Sequence, residues 1–186
     1  DPFVTLGKAS GVTSKLKLAT GICLIPERNP LLLAKEVATL DLLSNGRFIL
    51  GIGAGWCKEE TEIMGGNFER RWSQTRESIL AMKQLWTTVE SEYHGDFYDF
   101  PPVYSYPKPV QKPHPPIGVA GVSPKSDTLV LAGERGYIPM SINIVPWPTL
   151  AGHWDAVESG AANTGVSADR STWRIARNLY VGDTTA

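Results

Sequence analysis

The chain has 186 residues, of which 42% are hydrophobic and 20% are charged, as expected of a soluble globular protein with one substantial core. Its formal net charge of −1 gives no basic footprint for nucleic acid or an anionic membrane, and no apolar run approaches the ~20 residues that span a bilayer. Cys23 and Cys57 allow one disulfide by count, but a chain of this size needs no such staple, which favours a reducing, cytoplasmic compartment. The three histidines lack metal-ligand spacing, so no metal site is predicted.

The predicted elements alternate between helices and strands along the chain. Asp1 with Pro2, and Asn29 with Pro30, are cap and first-turn pairs that each begin a helix, and Gly46 ends the second helix. The predicted helices cover residues 3–10, 30–46, 72–86, 126–133 and 149–164. The predicted strands cover residues 16–25, 47–53, 115–121, 137–143 and 173–182. The charged run over 58–62 is expected to be a solvated helix face with no catalytic role.

Residues 90–116 interrupt this alternation. They hold seven of the 14 prolines and several tyrosines. Because those aromatic side chains need burial, we interpret the segment as an ordered, Pro/aromatic-rich excursion within the domain and not as a linker. A small hairpin is predicted to turn at His94-Gly95.

Five β-strands in alternation with helices are typical of right-handed βαβ units around a parallel sheet. Both ends of the sequence look cut, since it has no initiator methionine, opens inside a helix and stops after a strand. Five units in this length extrapolate to eight units in roughly 300 residues, the size of an eight-stranded βα barrel. The predicted fold is therefore α/β of the (β/α)8 TIM-barrel type, here an incomplete barrel of about five parallel strands. One barrel domain over residues 1–186, truncated at both ends, is expected.

Gly51, Gly53 and Gly55 alternate at the end of the second predicted strand. In α/β folds ligands bind at the carboxyl ends of parallel strands, so a flat ligand packed against this backbone is one interpretation. A second interpretation is that the glycines only let the strand end bend beside its neighbours. A dinucleotide turn is a third, although the third glycine comes one residue early for G-x-G-x-x-G.

The segment from Ala120 to Ser126 follows another buried strand and opens a helix. Unpaired N–H groups at a helix start favour a phosphate, to which the hydroxyls of Ser123 and Ser126 would add donors. The alternative is that Ser123 is only a helix cap, with Pro124 in the first turn. The sequence does not separate the two interpretations.

Two further strands carry residues that suit a binding pocket. Thr20-Gly21-Ile22 interrupts an apolar strand, where a glycine marks either close packing or the approach of a ligand. Ser141 and Asn143 alternate at the carboxyl end of a later strand, where a barrel places its pocket. Asn143 could hydrogen-bond a heterocyclic ligand or only cap the next loop.

Taken together, the segments LATGICLIPERNPLLLAKEVATLDLLSNGRFILGIGAGW, PKPVQKPHPPIGVAG, ERGYIPMSIN and RSTWRIARNLYVGDT resemble the bacterial luciferase-like superfamily of flavin-dependent monooxygenases. The resemblance covers nearly the whole chain. It implies an eight-stranded βα barrel of which this chain holds strands three to seven. The PMSIN segment and the final strand look more like the limonene-monooxygenase type of member.

The resemblance also implies a set of cofactor contacts. Thr20-Gly21-Ile22 would lie against the flavin ring, with a non-proline cis peptide bond between Gly21 and Ile22. The implied cofactor-binding residues are Thr20, Gly21, Ile22, Gly53, Gly55, Trp56, Ala120, Gly121, Val122, Ser123 and Ser126. The loop from Gly121 to Ser123 would hold the flavin phosphate. The family's active-site histidines lie on a strand outside this chain, so no catalytic residue is assigned and the fragment alone is expected to be inactive.

The expected function is an FMN-dependent monooxygenase that uses reduced FMN from a separate flavin reductase, together with O₂, on a small apolar substrate. Ser141 and Asn143 are the expected substrate-pocket residues. GAGW also occurs in relatives that use the deazaflavin coenzyme, so a deazaflavin-dependent hydride-transfer oxidoreductase is the first alternative. A non-catalytic flavin-binding protein is the second. The resemblance also implies a homodimer.

Overall fold

The computed structural model describes residues 1–178 and 180–182, and the chain divides into two compact units, Asp1–Ile117 and Gly118–Ala186. The helices are α1 (Pro2–Val12), α2 (Pro30–Leu43), α3 (Lys58–Ile63), α4 (Arg71–Thr87), α5 (Asp127–Arg135) and α6 (Trp147–Thr164). The strands are β1 (Leu18–Ala19), β2 (Cys23–Leu24), β3 (Phe48–Gly53), β4 (Glu90–His94), β5 (Asp99–Tyr104), β6 (Ile117–Gly121), β7 (Ile138–Ser141) and β8 (Arg174–Ile175). Parallel strand pairs joined by helices confirm the α/β class.

In the first unit, β1 and β2 both pair parallel with β3, at its start and at its end. Ala19 lies opposite Ile49, and Cys23 lies opposite Ile52. The four residue steps from Ala19 to Cys23 therefore run beside only three residue steps of β3. This extra residue is a bulge, which breaks the ladder and re-aims the side chains around it. The prediction of one continuous strand over 16–25 is therefore wrong, because an apolar run does not reveal a change of register.

The helix starts agree with the predicted caps. The Asp1 carboxylate accepts the backbone N–H groups of Phe3 and Val4, and the Asn29 side chain does the same for the first turn of α2. α2 ends at Leu43, and Asn45 (φ 52°) and Gly46 (φ 72°) take left-handed conformations that turn the chain into β3, so Gly46 closes the helix as predicted.

A buried arginine joins the turns at the starts of β1 and β3. The guanidinium of Arg47, only 8% exposed, donates to the carbonyl oxygens of Ser10, Thr13, Leu16 and Ser44 at 2.7–3.0 Å and to the Thr13 hydroxyl at 3.0 Å. A guanidinium has five N–H groups, so each of them has an acceptor. The buried charge is thereby fully hydrogen-bonded.

The hairpin predicted near His94-Gly95 is present as antiparallel β4 and β5. Its loop is held by Glu77 on α4, whose carboxylate accepts the backbone N–H groups of Asp96 (3.1 Å), Phe97 (2.8 Å) and Tyr98 (2.9 Å). Three N–H groups directed at one carboxylate order this loop.

In the second unit, β6, β7 and β8 pair in parallel, with Gly121 beside Ser141 and Ser141 beside Ile175. α5 and α6 pack closely, because a Cβ at Gly133 or Gly160 would overlap the backbone of the facing helix. The strand predicted over 173–182 is reduced to Arg174–Ile175, and its position 179 lies outside the described residues.

Both cysteines are free, Cys23 buried and Cys57 partly exposed. Burial raises the pKa of the Cys23 thiol to about 11, although the Arg28 charge acts in the opposite direction. Across residues 1–178 and 180–182, no helix combines the length and apolar character that a membrane span requires.

Candidate functional site

The turn between β1 and β2 contains the first predicted contact residues. Thr20 is 2% exposed, and its hydroxyl donates to the Gly51 carbonyl at 2.7 Å, which fixes the turn against β3. The peptide bond between Gly21 and Ile22 is cis, as the resemblance implies. No atom lies within 4 Å of the position that a Cβ on Gly21 would occupy, so this backbone faces open space.

The carboxyl end of β3 lies directly beside this turn. A Cβ at Gly53 would overlap Cδ1 of Ile22, so the absence of a side chain at Gly53 lets Ile22 lie across the strand end. Gly55 has φ +81°, a conformation that a residue with a side chain rarely adopts. The structure thus brings together two of the segments predicted from sequence, Thr20–Ile22 and Gly53–Gly55.

Trp56 completes this surface, which we call the β2–β3 rim and define as Gly21, Ile22, Gly53, Gly55 and Trp56. The Trp56 side chain is 86% exposed. A large aromatic ring left uncovered beside a glycine-rich strand end is a feature of binding surfaces, where such rings pack against ligands.

Glu27 is a residue near this rim that the sequence reasoning missed. It ends the short 3₁₀ helix Ile25–Glu27 that follows β2, and its Oε1 is buried without a hydrogen-bond partner, 3.7 Å from where a Gly55 Cβ would lie. Burial, with repulsion from Glu60, raises the pKa of this carboxyl, while the charge of Arg28 lowers it. Glu27 therefore holds its proton to a higher pH than an ordinary glutamate. No pattern in the sequence around Glu27 indicates this raised pKa.

A cavity of about 340 Å³ lies beside Glu27 but not on the rim, and its lining residues are Asp1, Glu27, Arg28, Asn29, Leu32, Leu33, Glu36 and Met64. The guanidinium of Arg28 contacts Asp1 at 2.7 Å and Glu36 at 3.5 Å across it. Since these two carboxylates already neutralise Arg28, we assign the cavity no ligand.

In the second unit, the predicted phosphate segment lies between β6 and α5. The N-cap of α5 is Ser126, which makes no capping hydrogen bond with its side chain, so the alternative of Ser123 as the cap is wrong. The hydroxyl of Ser123 donates to the Lys125 carbonyl at 3.2 Å within an exposed loop that also carries Val122, 53% exposed. The first N–H groups of α5 thus remain available, as in anion-binding helix starts.

Thr128 ties this segment together and was not predicted. Its hydroxyl donates to the Ala120 carbonyl at 2.8 Å and lies 2.8 Å from the hydroxyl of Ser126. A Cβ at Gly121 would overlap Leu129, so the strand end and the helix start approach closely. Ala120, Gly121 and Ser126 are brought together in this way.

Ser141 and Asn143, the predicted pocket residues, have different environments. Ser141 is 1% exposed, and its Oγ lies 2.8 Å from Nδ1 of His153 and accepts the Trp173 indole N–H at 2.9 Å. The indole N–H can only donate, and the tautomer of His153 sets which atom donates in its bond with Ser141. Asn143 is exposed, and its amide donates to Asn178 at 3.4 Å. A substrate contact at either residue stays a prediction.

Arg177 is a further residue that the sequence reasoning missed. It follows β8, and its Nη1 donates to the carbonyl oxygens of Ile142 and Asn143 at 3.2 and 3.4 Å. Its Nε and Nη2 are buried and have no acceptor within residues 1–178 and 180–182. No local pattern around Arg177 signals this, since both carbonyl groups come from a segment more than 30 residues away.

Parallel strands joined by helices, with a glycine-rich rim at their carboxyl ends, are the arrangement in which α/β barrels place their ligand sites. The family model for luciferase-like monooxygenases matches residues 1–186, and the chain belongs to this family. It is 31% identical to the oxygenase component of flavin-dependent trigonelline monooxygenase from Acinetobacter baylyi, over 98% of this chain and 51% of that protein.

Two solved structures share the fold. The oxygenating constituent of 3,6-diketocamphane monooxygenase from Pseudomonas putida, in complex with FMN, matches with a TM-score of 0.83 and 27% identity, over 94% of this chain and 51% of the other. An F420-dependent secondary alcohol dehydrogenase with an F420-acetone adduct matches with a TM-score of 0.75 and 28% identity, over 93% and 52%. The fold is thus of the (β/α)8 TIM-barrel type, with about five parallel strand positions among the described residues. The chain spans about half the length of the curated relatives it matches.

Proposed function

We propose that the protein containing this chain is the oxygenase of a two-component flavin-dependent monooxygenase that uses reduced FMN and O₂ on a small organic substrate. The observation that carries the proposal is the β2–β3 rim, where the open backbone at Gly21 adjoins Ile22, which lies across the end of β3 at Gly53, and where the exposed Trp56 follows in the chain. This surface suits a flat, three-ring cofactor. Membership of the luciferase-like monooxygenase family supports the same conclusion.

The residues of the rim fit the ring system of FMN. The absence of a side chain at Gly21 leaves its backbone accessible to a planar ligand, Ile22 lies across the strand end at Gly53, and the exposed Trp56 follows Gly55 in the chain. The Thr20 hydroxyl, bonded to Gly51, keeps the turn in place, so the rim is formed before the ligand arrives. When bound, reduced FMN supplies the electrons with which one atom of O₂ is transferred to the substrate and the other becomes water.

The phosphate of FMN would bind at the start of α5. Ala120, Gly121, Val122, Ser123 and Ser126 are the proposed contacts, of which Ser126 is the N-cap without a capping hydrogen bond. A helix start offers unpaired N–H groups and a partial positive charge, both of which favour an anion.

A deazaflavin-dependent hydride transfer is the second candidate, favoured by the likeness to the F420-dependent secondary alcohol dehydrogenase. In that reaction the rim would bind the deazaflavin ring, and no O₂ would be consumed. A flavin reductase would then have no role as a partner.

Equilibrium titration of the complete protein with FMN, riboflavin and F420 tests the proposal, followed by O₂ consumption with reduced FMN. We expect FMN to bind more tightly than riboflavin and F420, and O₂ uptake to yield an oxygenated product. Tight F420 binding without FMN binding would establish the hydride-transfer alternative. FMN binding without any oxygenated product across a substrate panel would indicate a flavin-binding protein that is not an oxygenase.

A further inference from the structure

Arg47 and Arg177 both have buried guanidinium nitrogen atoms, but they differ in how many of these atoms are hydrogen-bonded. All five N–H groups of Arg47 have acceptors, as described above. Arg177 uses only Nη1, which donates to the carbonyl oxygens of Ile142, Asn143 and Ala176 at 3.2–3.4 Å. Its Nε and Nη2 are buried and have no partner among the described residues. Buried polar groups of a permanent charge without acceptors are rare in folded proteins, because their desolvation is costly.

The two vacant nitrogen atoms of Arg177 belong to one edge of the guanidinium. On that edge, the N–H bonds of Nε and Nη2 point in parallel in the plane of the group. Two parallel donors at this spacing match the two oxygen atoms of a carboxylate, which an arginine binds in a bidentate manner. The vacant edge therefore fits a planar oxyanion better than it fits a single acceptor.

The surroundings of Arg177 add an apolar component. The ring of Trp147 lies over the guanidinium, with 4.6 Å from its centroid to Cζ, and the side chains of Trp147 and Ile144 are 72% and 69% exposed. A ligand that binds the buried edge would have to displace the Trp147 side chain, whose exposed face leaves space for such a shift. A molecule that combines an apolar body with a carboxylate would satisfy both the edge and the exposed side chains.

We propose that the Nε–Nη2 edge of Arg177 binds the carboxylate of the substrate, while Trp147 packs against the apolar part of the same molecule. This inference rests on the proposed function, because the bound molecule is taken to be the substrate of the oxidoreductase. It narrows the substrate from a small apolar compound to a small apolar carboxylic acid. Arg177 is a substrate-binding residue in this assignment and takes no part in the redox step.

Calorimetric titration of the complete protein with cyclohexanecarboxylate, and with the uncharged cyclohexanecarboxamide, tests the assignment. We expect the carboxylate to bind more tightly than the amide. Arg177→Met should weaken carboxylate binding about 10- to 100-fold, as loss of a charge-assisted bidentate pair implies. Arg177→Lys keeps the charge but not the fork and should weaken it less. Arg174→Met, on an exposed arginine of β8, is the matched control and should bind the carboxylate as the wild type does.

Three results would overturn the assignment. The first is equal binding of carboxylate and amide by the wild type, and the second is unchanged carboxylate binding in the Arg177 variants. The third is a loss of FMN binding without loss of riboflavin binding in those variants, which would assign the edge to the cofactor phosphate. If Arg177→Met does not fold, the Arg177→Lys titration decides alone. FMN titration of the wild type tests the proposed function separately, because carboxylate binding through Arg177 does not require that FMN bind.

Discussion

The buried carboxylate of Asp41 on α2 holds both the backbone and the side chain of Gln111. The Gln111 backbone N–H donates to Oδ2 at 2.9 Å, and its amide Nε2 donates to Oδ1 at 2.6 Å. The same amide group donates to the Phe48 carbonyl at 2.8 Å, at the first residue of β3. Asp41 thereby connects α2, the start of β3 and the segment that precedes β6.

Replacing Asp41 with Asn should destabilise the fold. The introduced amide N–H₂ would face a backbone donor, so at least one buried N–H group would lose its acceptor. We expect the free energy of unfolding of the complete protein to fall by about 2–4 kcal/mol, measured by urea denaturation. Asp155→Asn, on the exposed side of α6, is the control and should leave the denaturation midpoint unchanged. Equal midpoints for both variants would contradict a structural role for Asp41.

Replacing Glu77 with Gln should loosen the β4–β5 loop. The amide would keep one acceptor oxygen but place N–H₂ where a second acceptor is needed, and the charge that strengthens all three bonds would be lost. We expect about 1–3 kcal/mol of destabilisation and faster hydrogen exchange at Asp96, Phe97 and Tyr98. Glu62→Gln alters only an exposed pair with Lys58, so its exchange rates should match those of the wild type. Unchanged protection of the loop in Glu77→Gln would show that Glu77 does not order it.

Replacing Gly53 with Ala should displace Ile22 and distort the β2–β3 rim. Because the new Cβ would overlap Cδ1 of Ile22, we expect a lower melting temperature and weaker FMN binding by the complete protein. Ile22→Ala removes Cδ1, so the double variant should recover part of both losses, as a double-mutant cycle would measure. Gly11→Ala in α1 meets no atom within 4 Å and serves as the control, with no loss expected. A single variant at Gly53 that binds FMN as tightly as the wild type would argue against ligand approach at this rim.

The two cysteines should differ in reactivity. The thiolate is the reactive form, and a pKa of about 11 leaves about one thousandth of Cys23 ionised at pH 8. Iodoacetamide should therefore label the partly exposed Cys57 in the native protein, and Cys23 only after unfolding or as the pH rises towards 11. Peptide mass spectrometry identifies the labelled site, and Cys57→Ser removes the fast reaction. Rapid labelling of Cys23 at pH 8 in the folded protein would contradict the burial of the Cys23 side chain.

Local signals in the sequence predicted much of the fold. The caps at Asp1 and Asn29 determine the starts of two helices through contacts within three residues, so they can be read without knowledge of the tertiary structure. Gly136 ends α5 with φ +64° at the position predicted for the helix end. The bulge at Thr20–Ile22 could not be predicted, because it depends on the register with β3, a segment about 30 residues away.

The candidate site was predictable only where backbone shape determines it. The glycines at positions 21, 53 and 121 indicate close approach of a backbone or a ligand without knowledge of the tertiary structure, because a glycine in a strand has few structural explanations. Thr128 and Arg177 were missed, because each donates a hydrogen bond to a carbonyl group that only folding brings near. Ser141 was predicted as a pocket residue because it alternates with Asn143 at a strand end. Its hydroxyl is instead hydrogen-bonded to His153 and Trp173, and no strand pattern indicates these two bonds.

The hydrogen bonds of Arg47 lie at the end of the first sheet where β1 and β3 begin, opposite the candidate ligand-binding rim. Its acceptors all lie before β1 and β3, whereas Gly21, whose backbone is open, comes after β1. In α/β barrels the amino ends of the strands serve stability and the loops at the carboxyl ends carry the site. A substitution in the turn after β1 would therefore leave every acceptor of Arg47 in place, because the two sets are different residues.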